Sequence, residues 1–173
     1  YTTEVAQYKA VEFSGPAAKV LSISDRLTIC NMGVEIGAKF AFFEADDKTT
    51  AYLKKRTSER IEPFGPDSDA NYHQVYEVNL SSLEPQVACP HDMNNVKSVS
   101  EIGQVPVQQA FIGSCTNARL EDLERAALIL KGKRVHPETR LLVIPASHEI
   151  YVQAVKSGLI QTFLEAGAML ATT

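Results

Sequence analysis

The residue best placed for chemistry is the cysteine in Phe111-Ile112-Gly113-Ser114-Cys115-Thr116-Asn117. A β-type apolar run, Val105 to Ile112, precedes it, and an amphipathic stretch, Ala118 to Lys131, follows. A thiol at such a strand-to-helix turn meets outward-pointing backbone N–H groups and the positive end of the helix dipole. Both favour the thiolate, the form that binds a metal or attacks an electrophile. Three readings stay open from the residues alone: a small core cysteine at a tight turn, a nucleophile, or a metal ligand. A nucleophile needs a base, and none of His73, His91, His136 and His148 is paired with Cys115 by spacing. A zinc or iron–sulfur site needs about four ligands. The other cysteines are Cys30 and Cys89, and no Cys-x-x-Cys spacing exists.

A second polar face lies near residue 31. The pattern predicts a helix from Arg26 to about Phe40 with Asp25 as its N-cap and an apolar stripe of Ile29, Met32, Ile36 and Phe40. Asn31 and Glu35, one turn apart, then share a different face. An exposed Asn and Glu are ordinarily solvated surface. Gly33 and Gly37 argue otherwise, because each costs a helix about 1 kcal/mol against Ala. Their return is close approach of another backbone or of a ligand. Cys89-Pro90-His91-Asp92 reads as a plain loop rather than an acid/base site, His148 as a residue at a helix start, and Lys54-Lys55-Arg56 as the charged last turn of a helix.

The elements that must position these groups divide the chain. Residues 8–13 read as a strand ended by Ser14-Gly15-Pro16, and a short helix over about 16–22 follows. Phe40 to Phe43 is a candidate buried strand, and Asp46 or Asp47 caps a helix from Lys48 to about Arg56. Residues 57–74, with Pro63, Gly65 and Pro66, read as a loop. Alternation over Val75–Leu80 predicts a half-buried strand, and Ser81–Asn95 reads as extended and irregular. Beyond Val105 the order is strand (107–112), helix capped by Asn117 with a stripe of Leu120, Leu123, Ala127 and Leu130, and Gly132 at C′. Then come strand (140–144), helix capped by Ser147 and closed by Gly158, helix (159–166), and strand (168–171). Alternating strands and helices with short links imply parallel pairing, right-handed crossovers and ligand sites beyond the carboxyl ends of the strands.

Composition excludes several classes. The 173 residues are 45% hydrophobic and carry a net charge of −4 with no long basic cluster, which speaks against disorder and against nucleic-acid binding. No run approaches the apolar length of a membrane span. Three widely spaced cysteines make no disulfide framework, so a reducing, cytoplasmic setting is expected. The chain opens on Tyr-Thr-Thr-Glu and closes soon after a strand-like run, as a piece of a longer protein would.

Thr28-Ile29-Cys30-Asn31-Met32-Gly33-Val34-Glu35-Ile36-Gly37-Ala38 and Phe111-Ile112-Gly113-Ser114-Cys115-Thr116-Asn117 together resemble the aconitase superfamily. Ala10 to Pro16 and Glu84 to His91 resemble it too, in the same order. Phe43-Glu44-Ala45-Asp46-Asp47-Lys48-Thr49 and the motif spacing are similar to the branch with separate large and small subunits, more than to the mitochondrial type. The resemblance implies an α/β fold, three-layer α/β/α with a mostly parallel sheet. Residues 1–85 would end one aconitase-type domain, and 86–173 would start the next. It implies a hydro-lyase that moves a hydroxyl of a small di- or tricarboxylic hydroxy acid to the neighbouring carbon on a [4Fe–4S] cluster. Cys115 matches the first cluster ligand, and Asn31 and Glu35 match positions lining the substrate pocket, with Glu35 hydrogen-bonding the departing water. Cys30 and Cys89 match no ligand. The remaining cluster cysteines would follow Thr173, and the general base, a serine, would come from a small, swivelling subunit. By itself this chain is therefore expected to hold no intact cluster and to be inactive. A non-catalytic module binding a carboxylate or a partner subunit remains the alternative.

Overall fold

A computed structural model describes residues 2–114 and 116–172. The chain forms two compact units, Tyr1–Gly103 and Gln104–Thr173. In the first, β1 (Ala10–Phe13) pairs in parallel with β2 (Phe40–Phe43), Ala10 opposite Phe40 and Phe13 opposite Phe43. The crossover holds α1 (Pro16–Val20), α2 (Ile23–Asn31) and a 3-10 turn, Met32–Ile36; α3 (Asp47–Lys54) follows β2. Phe13 and Phe43 stack at 5.1 Å across the strand pair.

The helix expected over 26–40 is shorter and shifted. Its N-cap is Ser22, three residues before Asp25. The Asp25 N–H donates to Ser22 Oγ (3.1 Å) and the Ser22 N–H to Asp25 Oδ2 (2.9 Å), a reciprocal capping box in which Asp25 is the inner member. The α-helix stops at Asn31, tightens into the 3-10 turn and ends at Gly37, whose φ is +79°. Two close approaches need the glycines of this turn. A Cβ on Gly33 would lie 2.6 Å from Ala41 Cβ, and one on Gly37 would lie 3.1 Å from both Thr3 O and Gln7 Cα. The close approach that the glycines serve is thus to the chain's own β2 and N-terminal turn. The expected apolar stripe dissolves with the helix: Met32 is 46% and Phe40 72% exposed.

The strand expected over 75–80 does not form. Residues 75–79 have no regular structure, and Leu80–Ser82 is a 3-10 turn. Alternation alone makes no strand without a partner to pair with, and Val75 stays 73% exposed. The stretch expected to be irregular instead contributes β3 (Gln86–Ala88), antiparallel to β4 (Val96–Ser98).

The second unit follows the expected alternation. It runs β5 (Gln109–Ile112), α4 (Leu120–Leu130), β6 (Arg140–Val143), α5 (His148–Lys156), α6 (Leu159–Glu165) and β7 (Met169–Leu170). The sheet order is β5-β6-β7, both pairings parallel. Leu123, Val143 and Phe163 are fully buried, and Leu120 and Leu130 pack against their cluster from α4's stripe. Ser147 Oγ accepts the Ile150 N–H (3.3 Å), and Gly132 and Gly158 take the left-handed conformation that ends a helix. Only the start of α4 departs: Arg119, not Asn117, is the cap position, and its N–H donates to Asp122 Oδ2 (3.0 Å). Ala118 has φ +59°, which the helix cannot include.

Candidate functional site

Cys115 itself lies outside the described residues. Its neighbours define the turn between β5 and α4. Gly113 is buried, and a Cβ there would meet Phe111 Cζ at 2.5 Å and Ile144 O at 3.0 Å. Ser114 (φ +81°) and Ala118 (φ +59°) are two non-glycine residues in the left-handed region within five positions. Each such residue costs on the order of 1–3 kcal/mol and persists only where its surroundings impose it. Here the carboxyl end of β6 does so. The Ile144 N–H donates to Ile112 O (2.8 Å) and the Ala146 N–H to Ala118 O (3.0 Å), bracketing the turn on both sides. Ala118 and Pro145 are fully buried. The two left-handed residues thus concentrate backbone strain just beyond the carboxyl end of β5.

The helix dipole contributes less here than a helix from Ala118 would provide. α4 begins only at Leu120 and carries Glu121 and Asp122 in its first turn. Those carboxylates offset the positive helix end.

Asn31 is the last residue of α2 and Glu35 lies in the 3-10 turn, both exposed, with buried Gly33 between them. Because α geometry gives way to 3-10 geometry at Met32, the one-turn α spacing expected for the pair does not carry across. The Gly37 N–H to Val34 O (3.0 Å) and Ala38 N–H to Gly33 O (3.1 Å) bonds close the turn. Asn31 and Glu35 belong to the first compact unit and the Cys115 turn to the second.

The bland readings fare well elsewhere. Cys30 is a half-buried free thiol whose pKa burial pushes up, the opposite of a reactive site. In the Cys89–Asp92 segment, Asp92 Oδ1 accepts the Asn94 N–H (2.8 Å) and Nδ2 (3.0 Å), building a turn. His148 is exposed in the first turn of α5, and Arg56 stacks over Tyr52 at 3.8 Å. Among the described residues, no three His, Cys, Asp or Glu gather to hold a metal ion. None of the described helices is long and apolar enough to cross a membrane.

One polar node had no signal in the sequence pattern. Arg26 is only 5% exposed, and its Nη2 donates to Asp46 Oδ2 at 2.6 Å. Nη1 reaches Thr49 Oγ1 at 3.5 Å, and the guanidinium lies 5.8 Å from the Phe43 ring centroid. Asp46 also caps α3, accepting the Thr49 N–H at 3.1 Å. Hydrogen bonding to Arg26, helped by the bonds from Thr49, holds the Asp46 carboxyl well below the usual carboxylate range. The Asp46 bond raises the Arg26 pKa in turn.

The family model described as aconitase family (aconitate hydratase) matches residues 1–173. The chain belongs to the aconitase family. Among curated family members, it is 51% identical over 167 residues to the 3-isopropylmalate dehydratase large subunit of Thermoanaerobacter sp. (strain X514), covering 96% of this chain and 40% of that protein. It is 49% identical over 168 residues to the same subunit of Hydrogenobaculum sp., covering 97% and 40%. The probable 3-isopropylmalate dehydratase large subunit of Methanothermobacter thermautotrophicus is 47% identical over 165 residues, covering 95% and 39%. The chain thus spans about 40% of the length of the family relatives it matches.

Proposed function

We propose that this chain is part of the large subunit of a hydro-lyase of leucine biosynthesis that isomerises 3-isopropylmalate by dehydration and rehydration, assembled with a small subunit. The observation that carries this reading is the 51% identity to a large subunit of that name across 96% of the chain, with the strained Cys115 turn inside the matched region. An iron–sulfur cluster fits this chain as one thiolate out of several. Ser114 and Ala118, which flank Cys115 in the sequence, are left-handed residues beyond the carboxyl end of β5, and the other donors would come from the rest of the subunit. Such a cluster, when bound, supplies a Lewis-acidic iron to the substrate hydroxyl and carboxylate.

The chain's own contributions are three. Cys115 holds the cluster to the β5–α4 turn. Asn31 hydrogen-bonds the substrate, its amide offering two donors and an acceptor. Glu35 gives a proton to the departing hydroxyl, so that it leaves as water, and takes one from water on rehydration. The proton on the neighbouring carbon goes to a base on the small subunit.

The test is turnover by the whole large subunit, loaded anaerobically and combined with its small subunit. Conversion of 3-isopropylmalate is expected, and Glu35→Gln should lower kcat by about 10²-fold or more with its iron retained. Preference for a tricarboxylic hydroxy acid would assign the protein to a homoaconitase-type hydratase. Full activity of Glu35→Gln would remove that residue from the reaction.

A further inference from the structure

Arg26 of the Arg26–Asp46 pair, which no catalytic role absorbs, lies on the same helix as Asn31, just ahead of the turn that carries Glu35. We infer that Arg26 is a positioning residue for these two side chains, acting through Asp46 and Phe43. The inference rests on the reading of Asn31 and Glu35 given above.

Arg26 sits near the middle of α2, and Asn31 is that helix's last residue. The 3-10 turn bearing Glu35 follows without a linker. A tilt of α2 that carries this turn with it therefore moves both side chains together. Three contacts at Arg26 oppose such a tilt: the 2.6 Å bond to Asp46, the reach to Thr49 and the placement over Phe43. Phe43 belongs to β2 and is stacked on Phe13 of β1, while Asp46 caps α3 and Thr49 lies in its first turn. The guanidinium thus joins α2 to the strand pair and to α3 at one point.

The lever is long enough to matter. Five residues at about 1.5 Å each and four at about 2.0 Å put Glu35 roughly 15 Å along the chain axis from Arg26. A tilt of about 4° moves it by about 1 Å, and a 1 Å misplacement can cost about 10²-fold in rate. Stability alone does not explain the pair. Arg26 Nε has no hydrogen-bond partner among the described residues. A buried ion pair is also often no more stable than an apolar one of equal volume. What the fork adds is a fixed direction.

Asp46→Asn tests this in the whole large subunit with its small subunit. Asn keeps the size and the capping ability at α3 while removing the charge. Amide hydrogen exchange in the 31–38 segment should accelerate by about tenfold, with residues 10–13 and 40–43 unchanged. The kcat should fall by about tenfold or more. Arg26→Lys, which keeps the charge, should recover part of both relative to Arg26→Met, and it stands in if Asp46→Asn does not fold. Unchanged exchange at 31–38 overturns the positioning role. Faster exchange there with full kcat overturns the part given to Asn31 and Glu35, and with it Arg26's place in the reaction.

Discussion

Adding one methyl group to Gly33 should both destabilise the first unit and disable the proposed site. Its Cβ would lie 2.6 Å from Ala41 Cβ, where ordinary contact begins at 3.4 Å. Neither atom can swing away, because each is fixed to its backbone. The 3-10 turn must then lift off β2 by most of the missing 0.8 Å, a difference taken between those two distances. Overpacking of this kind costs about 1–3 kcal/mol. The lift falls between Asn31 and Glu35, and displacement on the 1 Å scale costs up to about 10²-fold in kcat. The assay pairs urea denaturation with steady-state turnover of the assembled enzyme. The decisive comparison is the double variant Gly33→Ala/Ala41→Gly, which moves the methyl across the contact. It should recover most of the stability and the rate, less about 1 kcal/mol for the new strand glycine. If Gly33→Ala alone is as stable and active as the parent, or the double variant recovers nothing, the contact does not set the turn.

Ser114→Gly should stabilise the second unit by about 1 kcal/mol, because glycine adopts φ +81° without the Cβ penalty; a thermal melt reads the gain, and a loss would show that Ser114 Oγ matters more than the strain. Ala118→Gly should be near neutral, since relief at φ +59° is offset by about 0.8 kcal/mol for the buried methyl lost. Asp46 supplies a pH dependence. Its folded pKa is depressed, so its contribution is complete above the unfolded carboxylate value of about 3.9, starts to fall below that value and is lost as pH falls through the much lower folded one. Urea titrations at neutral pH and near pH 3 should show the parent losing more stability than Asp46→Asn on acidification, and equal losses would mean that the Arg26 bond does not persist in solution.

Much of the second unit was legible because its signals are local. The Leu120–Leu130 stripe, the Ser147 cap and the glycines closing α4 and α5 each act within a turn or two of chain. The first unit hid its structure in contacts distant in sequence. Nothing local says that Gly33 must seat on Ala41, so the 26–40 periodicity looked like one helix when it was a helix, a 3-10 turn and a strand. The Val75–Leu80 alternation had the right period and no partner strand. β3 lay in a segment that Pro85 and Pro90 made look irregular, and its partner β4 lies just beyond that segment. Arg26 was invisible for a different reason: an arginine in a helix is ordinarily surface, and only Asp46, twenty residues on, makes its burial tolerable. The turn between β5 and α4 could be placed from sequence, whereas the left-handed Ser114 and Ala118 and the delayed start of α4 could not.

Cys115 is proposed as this chain's cluster thiolate, and Cys30 and Cys89 as no ligands. Serine replacement of each in the whole large subunit, with iron and acid-labile sulfide counted after anaerobic loading, tests it directly. Cys115→Ser should lose the intact cluster and turnover together, while Cys30→Ser and Cys89→Ser keep both. Retention of the full cluster by Cys115→Ser, or its loss in either of the others, would contradict the account.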